Sequence, residues 1–175
     1  MATPTTLPAT FVSGAVLTAA QQNDLRGAFR VLQVVTEQTT IETTSNSSTF
    51  IATTLTATIT PSSTSSKILI IVSHSTCYKS PADPNNRLNM RLYKNGVFFS
   101  QITTNIGFMG SSIDSFFAVV AQRLDSPNTV SAVTYATFFM NSNNAADVRV
   151  QRGSDPSTIT LMEISACPTT NYATG

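Results

Sequence analysis

The sequence predicts an all-β protein, an antiparallel β-sandwich or jelly roll, preceded by an extended arm and one short N-terminal helix. Only 11% of the 175 residues are charged, and serine and threonine supply most of the polar surface instead. Threonine is β-branched and suits the pleated face of a strand. Ten phenylalanines, with many isoleucines and valines, can fill a core. Short apolar segments also alternate with turn formers along the chain, which is typical of sandwiches.

Helix signals occur once, in the N-terminal region. Two prolines near the start favour an extended arm. Thr18 and Gln21 then fit a capping box, in which each side chain closes one end of the first turn. The apolar residues of the following run have i, i+3, i+4 spacing and are Leu25, Ala28 and Phe29. So short a helix is marginal alone in water, and we expect it to dock on another surface.

From Val31 onward the pattern changes to strands. A two-residue turn at Asn95-Gly96 is the clearest local signal, because type I′ turns require positive φ at both positions. Further turn-forming residues lie between apolar runs, at 61–66, 125–128 and 152–156. The predicted strands are Val31–Thr44, Ser48–Thr60, Lys67–Tyr78, Arg87–Tyr93, Val97–Ile102, Ile113–Leu124, Thr129–Met140, Val148–Gln151 and Thr158–Ser165.

These signals divide the chain into three parts. Residues 1–30 form the arm and short helix, residues 31–166 the β-sandwich domain, and residues 167–175 a C-terminal tail. We expect the first part to be an attachment segment, whose contact residues are Phe11, Leu17, Leu25 and Phe29. Binding residues often lie on loops held by a rigid scaffold. The exposed-loop candidates are Asp83, Asn85, Asn95, Gly96, Asn143 and Asn144.

Three phenylalanine pairs lie inside predicted strands. Neighbouring residues of a strand point to opposite faces of the sheet, so only one ring of each pair can enter the core. The other ring needs a cover, either a loop or the N-terminal arm, or a neighbouring copy of the chain. We therefore treat all six as oligomer-interface candidates: Phe98, Phe99, Phe116, Phe117, Phe138 and Phe139.

The residues that usually carry catalysis or bind metals are sparse. His74 is the single histidine and lies within an apolar strand, where a structural or surface role is more common than that of a base. Together with Cys77 and the distant Cys167 it makes a poor zinc site. Without a secretory signal, free thiols are favoured over a disulfide between the two cysteines. We therefore predict no enzyme activity, no metal and no cofactor.

Charge and hydropathy also limit the partners. The net charge is +1 and the basic residues are scattered, whereas nucleic-acid binding needs a clustered basic surface. No apolar stretch approaches the length of a membrane span. We therefore expect neither nucleic-acid binding nor membrane insertion.

Several segments resemble virion proteins of tailed bacteriophages, particularly those of cyanobacterial and marine phages. FVSGAVLTAAQQN at 11–23 resembles the opening of many phage tail-fibre and other virion structural proteins. ITPSSTSSKILIIVS at 59–73, LDSPNT at 124–129 and STITLMEISA at 157–166 resemble a recurring distal β-domain of fibre-like proteins. This resemblance implies a homotrimeric, capsid- or tail-associated β-domain located in the virion.

Three functions follow as expectations. The first is a short fibre or tail-tip component that attaches to other virion proteins through its N-terminus and contacts a host cell-surface receptor. The second is a capsid cement, or decoration, protein that stabilises the shell. The third is a host-glycan-binding module, which the absence of tryptophan and the dispersed tyrosines disfavour.

Overall fold

The computed structural model of the protein describes Val16 and residues 31–165. The predicted arm, the short helix and the C-terminal tail lie outside these residues. In the described part the chain forms ten strands and one short 3-10 turn, Arg152–Ser154. The strands are β1 Val31–Thr39, β2 Thr43–Ser45, β3 Ile51–Ile59, β4 Lys67–Lys79, β5 Leu88–Lys94, β6 Val97–Ile106, β7 Ser115–Asp125, β8 Val133–Asn141, β9 Val148–Val150 and β10 Ser157–Ile164.

The strands form two antiparallel sheets that pack against each other as a β-sandwich. In sheet 1 the order is β1-β10-β4-β9-β2, and β7 pairs with the free side of β4. The short strands β2 and β9 extend the lines of β1 and β10, so this sheet is effectively four strands wide. In sheet 2 the order is β3-β8-β5-β6. The all-β sandwich predicted from the sequence is confirmed.

The pairing follows one rule, which is that each strand of the first half of the chain pairs with a strand of the second half. Strand β5 pairs with β6, β4 with β7, and β3 with β8. The outermost pair joins β1 and β2 to β10 and β9. A long hairpin rolled up in this way into two four-stranded sheets is a jelly roll.

The centre of this rolled hairpin is the predicted turn. Asn95 has a φ of 50° and Gly96 a φ of 78°, as a type I′ turn requires. The turn also binds a third strand, because the Asn95 N–H donates to the Thr134 carbonyl at 2.8 Å. In return, the Thr134 N–H donates to the Asn95 side chain at 2.9 Å. The turn thereby fixes the register of β5, β6 and β8 together.

The pairing gives the domain two different ends. Val31 pairs with Ile164, so the described chain starts and finishes at one end, which we call the proximal end. The loops 60–66, 95–96 and 126–132 lie there as well. At the opposite, distal end, the loops 46–50, 80–87, 107–114 and 142–147 connect the strands.

The core lies between the sheets and follows the period-two alternation of the strands. In β8 every second residue is buried, from Val133 to Asn141, and β3 and β10 alternate in the same way. The proximal half of the core is formed around Leu55, Ile70, Tyr135 and Leu161. The distal half includes Cys77, Leu88, Met90, Phe139 and Val148.

Polar contacts also connect the two sheets near their proximal end. The Asp125 carboxylate, at the end of β7, accepts hydrogen bonds from the Tyr135 hydroxyl and from Lys94 Nζ, each at 2.6 Å. Burial and the neighbouring Asp125 raise the pKa of the Tyr135 hydroxyl, which stays a donor. At one open side of the sandwich, Arg123 of β7 donates to Ser100 and to the Gln101 carbonyl of β6. These contacts close the gap between two edge strands.

The first predicted strand, Val31–Thr44, was wrong in one respect. It is broken at 40–42, and β1 and β2 are separate strands. Glu42 lies in the break, where its carboxylate accepts hydrogen bonds from Arg149, Arg152 and the Gly153 N–H. These partners come from the 3-10 turn and its neighbouring strand β9, more than a hundred residues later. The local pattern of apolar residues does not indicate these partners.

Gly107 is the glycine whose replacement the fold tolerates least. Its φ is 78°, and a Cβ would lie 2.9 Å from Cζ of Phe117 and closer still to Cε1. Gly153 has nearly the same φ, 76°, with open space around it. We predict that Gly153→Ala costs about 1 kcal/mol for the strained backbone. Gly107→Ala should cost about 1–3 kcal/mol more, because the phenylalanine ring must move.

Urea unfolding of the two variants and the unchanged protein measures this difference. Equal losses in both variants would contradict the predicted clash between residue 107 and the ring of Phe117.

Candidate functional site

His74, the single histidine, is buried between the two sheets. Its Nε2 lies 3.1 Å from the Thr137 hydroxyl of β8, which in turn is hydrogen-bonded to Thr53 of β3. On the other side, the Gln151 amide lies 2.9 Å from Nδ1. When the amide oxygen faces the imidazole, it accepts from Nδ1 and from the Ser157 hydroxyl. Both ring nitrogens are therefore occupied by neutral partners.

This environment makes His74 a structural group. Burial lowers the pKa of the imidazole to about 4, so it is neutral at physiological pH. Its side chain is 0% exposed and cannot contact a substrate from solvent. A general base must reach the proton that it abstracts, directly or through one water. His74 instead joins β4 of sheet 1 to β8 of sheet 2.

The cysteine that the structure describes is equally inaccessible. Cys77 is a free thiol, fully buried in the distal half of the core. Burial raises its pKa to about 12, so the reactive thiolate is not formed near neutral pH. Cys167 lies outside the described residues. Among residues 31–165, no three histidine, cysteine, aspartate or glutamate side chains cluster as a metal site.

In the same range, no helix is long and apolar enough to cross a membrane. Three surfaces stand out: the distal loops, the outer face of sheet 2 and the outer face of sheet 1.

The distal loops are bound to one another by hydrogen bonds. The Ser80 N–H donates to the Asp147 carbonyl at 3.0 Å, which links loop 80–87 to loop 142–147. The Ser48 N–H donates to Asn144 Oδ1 at 3.3 Å and joins loop 46–50 to the same group. Asn86, fully buried, donates to the Asp147 carbonyl at 2.7 Å. Three loops that are far apart in sequence thus form one surface.

Four of the six exposed-loop candidates lie on this surface. Asp83 and Asn143 are half-buried because they bind each other, with Asn143 Nδ2 donating to Asp83 Oδ2 at 3.0 Å. Asn85 and Asn144 are exposed beside them. The other two candidates, Asn95-Gly96, are exposed at the proximal end. The structure therefore brings together the first four and separates them from the turn.

The fourth distal loop, 107–114, adds apolar side chains to this end. Phe108, Met109 and Ile113 are each about half exposed, and the Arg87 guanidinium lies 5.3 Å from the Phe108 ring centre. The loop is held from below by the buried Lys79, whose Nζ donates to the carbonyls of Ser111 and Ile113. The sequence indicates an exposed loop over Thr103–Ser112, but we did not name its apolar residues individually as candidates. Their signal in the sequence was the pair Phe108-Met109 between Gly107 and Gly110.

The phenylalanine pairs are split between core and surface as strand geometry requires. Phe139 is fully buried, and Phe99 and Phe117 pack against the two halves of the core. On the outer face of sheet 2, Phe138 and Phe98 flank Tyr93, with ring centres 4.2 and 6.2 Å from that of the tyrosine. Phe116 is 60% exposed on the outer face of sheet 1. The three outward rings thus do not share one face.

Arg91 extends the aromatic cluster on sheet 2. Its guanidinium lies 4.0 Å from the ring centre of Phe50 and 4.8 Å from that of Phe98. Its Nε donates to Gln101 Oε1 at 2.9 Å, which fixes its position. We name Phe50, Arg91, Tyr93, Phe98 and Phe138 the aromatic cluster. Arginine and aromatic residues are the types enriched at the centres of protein interfaces.

The attachment residues Phe11, Leu17, Leu25 and Phe29 lie outside the described residues. The chain enters the sandwich at Val31, on the proximal end. A search for known protein families and a search of curated proteins both found no match to this chain.

The burial of His74 predicts a loss of stability in mild acid. The unfolded chain binds a proton near the ordinary pKa of 6.5, whereas the folded protein binds it only near pH 4. Acid therefore favours the unfolded state. We expect the free energy of unfolding to fall by about 3 kcal/mol as the pH decreases from 6.5 to 4.

Carboxylates contribute at lower pH. Burial alone would raise the pKa of Glu163, but hydrogen bonds from the Ser62 hydroxyl and N–H and from the Gln33 amide outweigh it and hold the pKa below 4.5. Its contribution is therefore lost only as the pH falls below about 4.5. His74→Gln should remove the slope between pH 6.5 and 5, measured by urea unfolding. Parallel curves for the variant and the unchanged protein would refute this assignment.

Proposed function

We propose that this protein is a non-enzymatic structural component of a bacteriophage virion, a short fibre or tail-tip component. In this proposal, residues 1–30 bind other virion proteins and the distal loops contact the host cell surface. The observation that carries the proposal is that the two ends of the domain differ. The chain enters and leaves at the proximal end, and three of the four loops at the opposite end are joined by hydrogen bonds into one surface.

Two further observations support this proposal. The FVSGAVLTAAQQN stretch at 11–23, which resembles the opening of phage virion proteins, precedes the proximal end. The distal surface combines exposed amides with half-exposed apolar side chains on a rigid scaffold. Such loops are the usual location of recognition residues, because the scaffold holds them in place. A fold alone does not imply function, and it is these surfaces that support the proposal.

Substitutions at the two ends test the proposal in the full-length chain. Particles produced without this protein are supplied with variants, and incorporation and adsorption to host cells are measured. The variant Phe11→Asp should not be incorporated. The distal variant Asn85→Arg/Ala145→Arg should be incorporated normally but should not support adsorption, because two bulky cations disturb the contact surface.

Ser131→Arg is the matched control, since it places the same side chain on an exposed loop of the proximal end. It should leave adsorption unchanged. If the distal variant adsorbs normally and the copy number per particle matches the capsid lattice, the protein is a cement protein and the tip proposal fails.

We also propose that the protein is a homotrimer that associates through the aromatic cluster of sheet 2. Phe98→Ser removes a half-exposed ring from this cluster, and Phe116→Ser removes a similarly exposed ring from sheet 1. Light scattering should give three times the 18.7 kDa chain mass for the unchanged protein and for Phe116→Ser. Phe98→Ser should reduce the mass to that of one chain. A monomer at all micromolar concentrations of the unchanged protein would refute the trimer.

A further inference from the structure

The outer face of sheet 1 has two halves with different chemistry. In its distal half, Arg149 pairs with Glu42 at 2.9 Å and with Asp147 at 3.1 Å, and Arg152 also pairs with Glu42. Tyr78 packs beside these arginines and against Phe116. The arginine and carboxylate side chains of this half are thus paired with one another. The proximal half has no such ion pairs among the described residues.

The proximal half carries a row of apolar side chains that crosses all four strands. Val34 of β1 pairs with Met162 of β10, Met162 with Leu69 of β4, and Leu69 with Leu124 of β7. Val34 is 54% exposed and Leu124 57%. Further apolar residues continue the surface on the same side, and we name the whole set the apolar face: Val31, Val34, Leu69, Ile71, Val120, Leu124, Met162 and Ile164.

The remaining outward residues between these side chains are polar but uncharged, and the charged Lys67 lies at the proximal edge of the set, where its Nζ donates to the Ser126 hydroxyl. Thr36, Thr160 and Gln122 share the row of Ile71, and Thr158 and Ser73 share the row of Val120. Contiguous apolar surface without charge is uncommon on soluble monomers and marks a contact site. The apolar face therefore needs an occupant.

We infer that the occupant is the amphipathic stretch 17–29 of the same chain. This stretch immediately precedes Val31, which itself belongs to the apolar face. Its predicted helix has apolar residues at Leu25, Ala28 and Phe29 and is too short to be stable alone. Because this segment is tethered so closely, its effective concentration at the face is in the millimolar range. A separate partner must bind with correspondingly high affinity to displace it.

The dimensions of the two surfaces agree. The apolar face runs from Lys67 to Ser73 along β4, about 20 Å at the rise of a strand. Across the sheet it covers four strands, about 14 Å between the outer ones. A helix of twelve residues is about 18 Å long and about 10 Å wide. One short helix with its side chains is therefore sufficient to cover most of the face.

The position of Val16 fits the same arrangement. It is 89% exposed and comes directly before the stretch 17–29. In the proposed arrangement the chain returns to solvent at Val16, and the residues before it are free to bind the virion. In this arrangement Phe29, which is two residues before Val31, faces Ile164 and Met162 of β10. Leu25, one helical turn earlier, faces Leu69 of β4, and the charged Asp24 and Arg26 face water. The attachment role then belongs to the residues around Phe11.

A cysteine pair tests the contact in the full-length chain. Leu25→Cys and Leu69→Cys are combined in a Cys167→Ser background, and Cys77 remains because its buried thiol does not react. Mild oxidation should give a disulfide within one chain, seen as a faster-migrating monomer band without reductant. The control pair, Leu25→Cys with Val97→Cys, should stay reduced. Val97 is exposed at the same proximal end but belongs to sheet 2.

The other outcomes overturn the inference. A disulfide between two chains would mean that a second copy covers the face, and absence of any disulfide would mean that residues 17–29 do not. Thiol labelling gives an independent measurement. A single Leu69→Cys should react about tenfold more slowly in the full chain than when Leu25→Asp and Phe29→Asp are also present, because a tethered segment occupies the face most of the time. Equal rates would refute the inference.

Discussion

Every strand of this protein pairs with a strand from the other half of the chain, and this nested pairing is the constraint on which the other features depend. It starts at the Asn95-Gly96 turn, whose positive φ values set the register of β5 and β6. A one-residue slip in register would turn all core side chains of a strand to the surface. The polar contacts of Asn95 with Thr134 oppose such a slip because they bind β8 at the same point.

The same pairing decides where functional groups lie. Because the chain is folded back at its middle, its described ends meet at Val31 and Ile164, and alternate loops gather at opposite ends. Asp83 and Asn143 are sixty positions apart in sequence and yet hydrogen-bonded. The distal surface is thus a product of topology rather than of any local motif. For the same reason, the point at which the chain enters the sandwich, Val31, and the distal loops are separated by the length of the sandwich.

Local features of the sequence were sufficient to predict the fold class and most strands. The Asn95-Gly96 turn and the alternation in β3 and β8 depend on neighbouring residues, and the phenylalanine pairs follow from period two. Features that depend on distant partners were not predictable. The break at Glu42 needs Arg149 and Arg152, and the buried His74 ring needs Thr137 and Gln151 as hydrogen-bond partners. The aromatic cluster likewise joins residues of four strand regions that only the sheet order brings together.

The low charge of the chain adds a last constraint. With 11% charged residues and a net charge of +1, mutual repulsion between copies is weak. A sandwich with an aromatic cluster on one outer face and the apolar face on the other would then tend to form open-ended contacts, because face-to-face association need not close. If residues 17–29 cover the apolar face as proposed, the aromatic cluster is the remaining large apolar sheet surface of the described residues. If that cluster alone mediates association, the protein forms an oligomer of defined size instead of an open-ended polymer. The N-terminal segment would thus limit assembly as well as attach the protein.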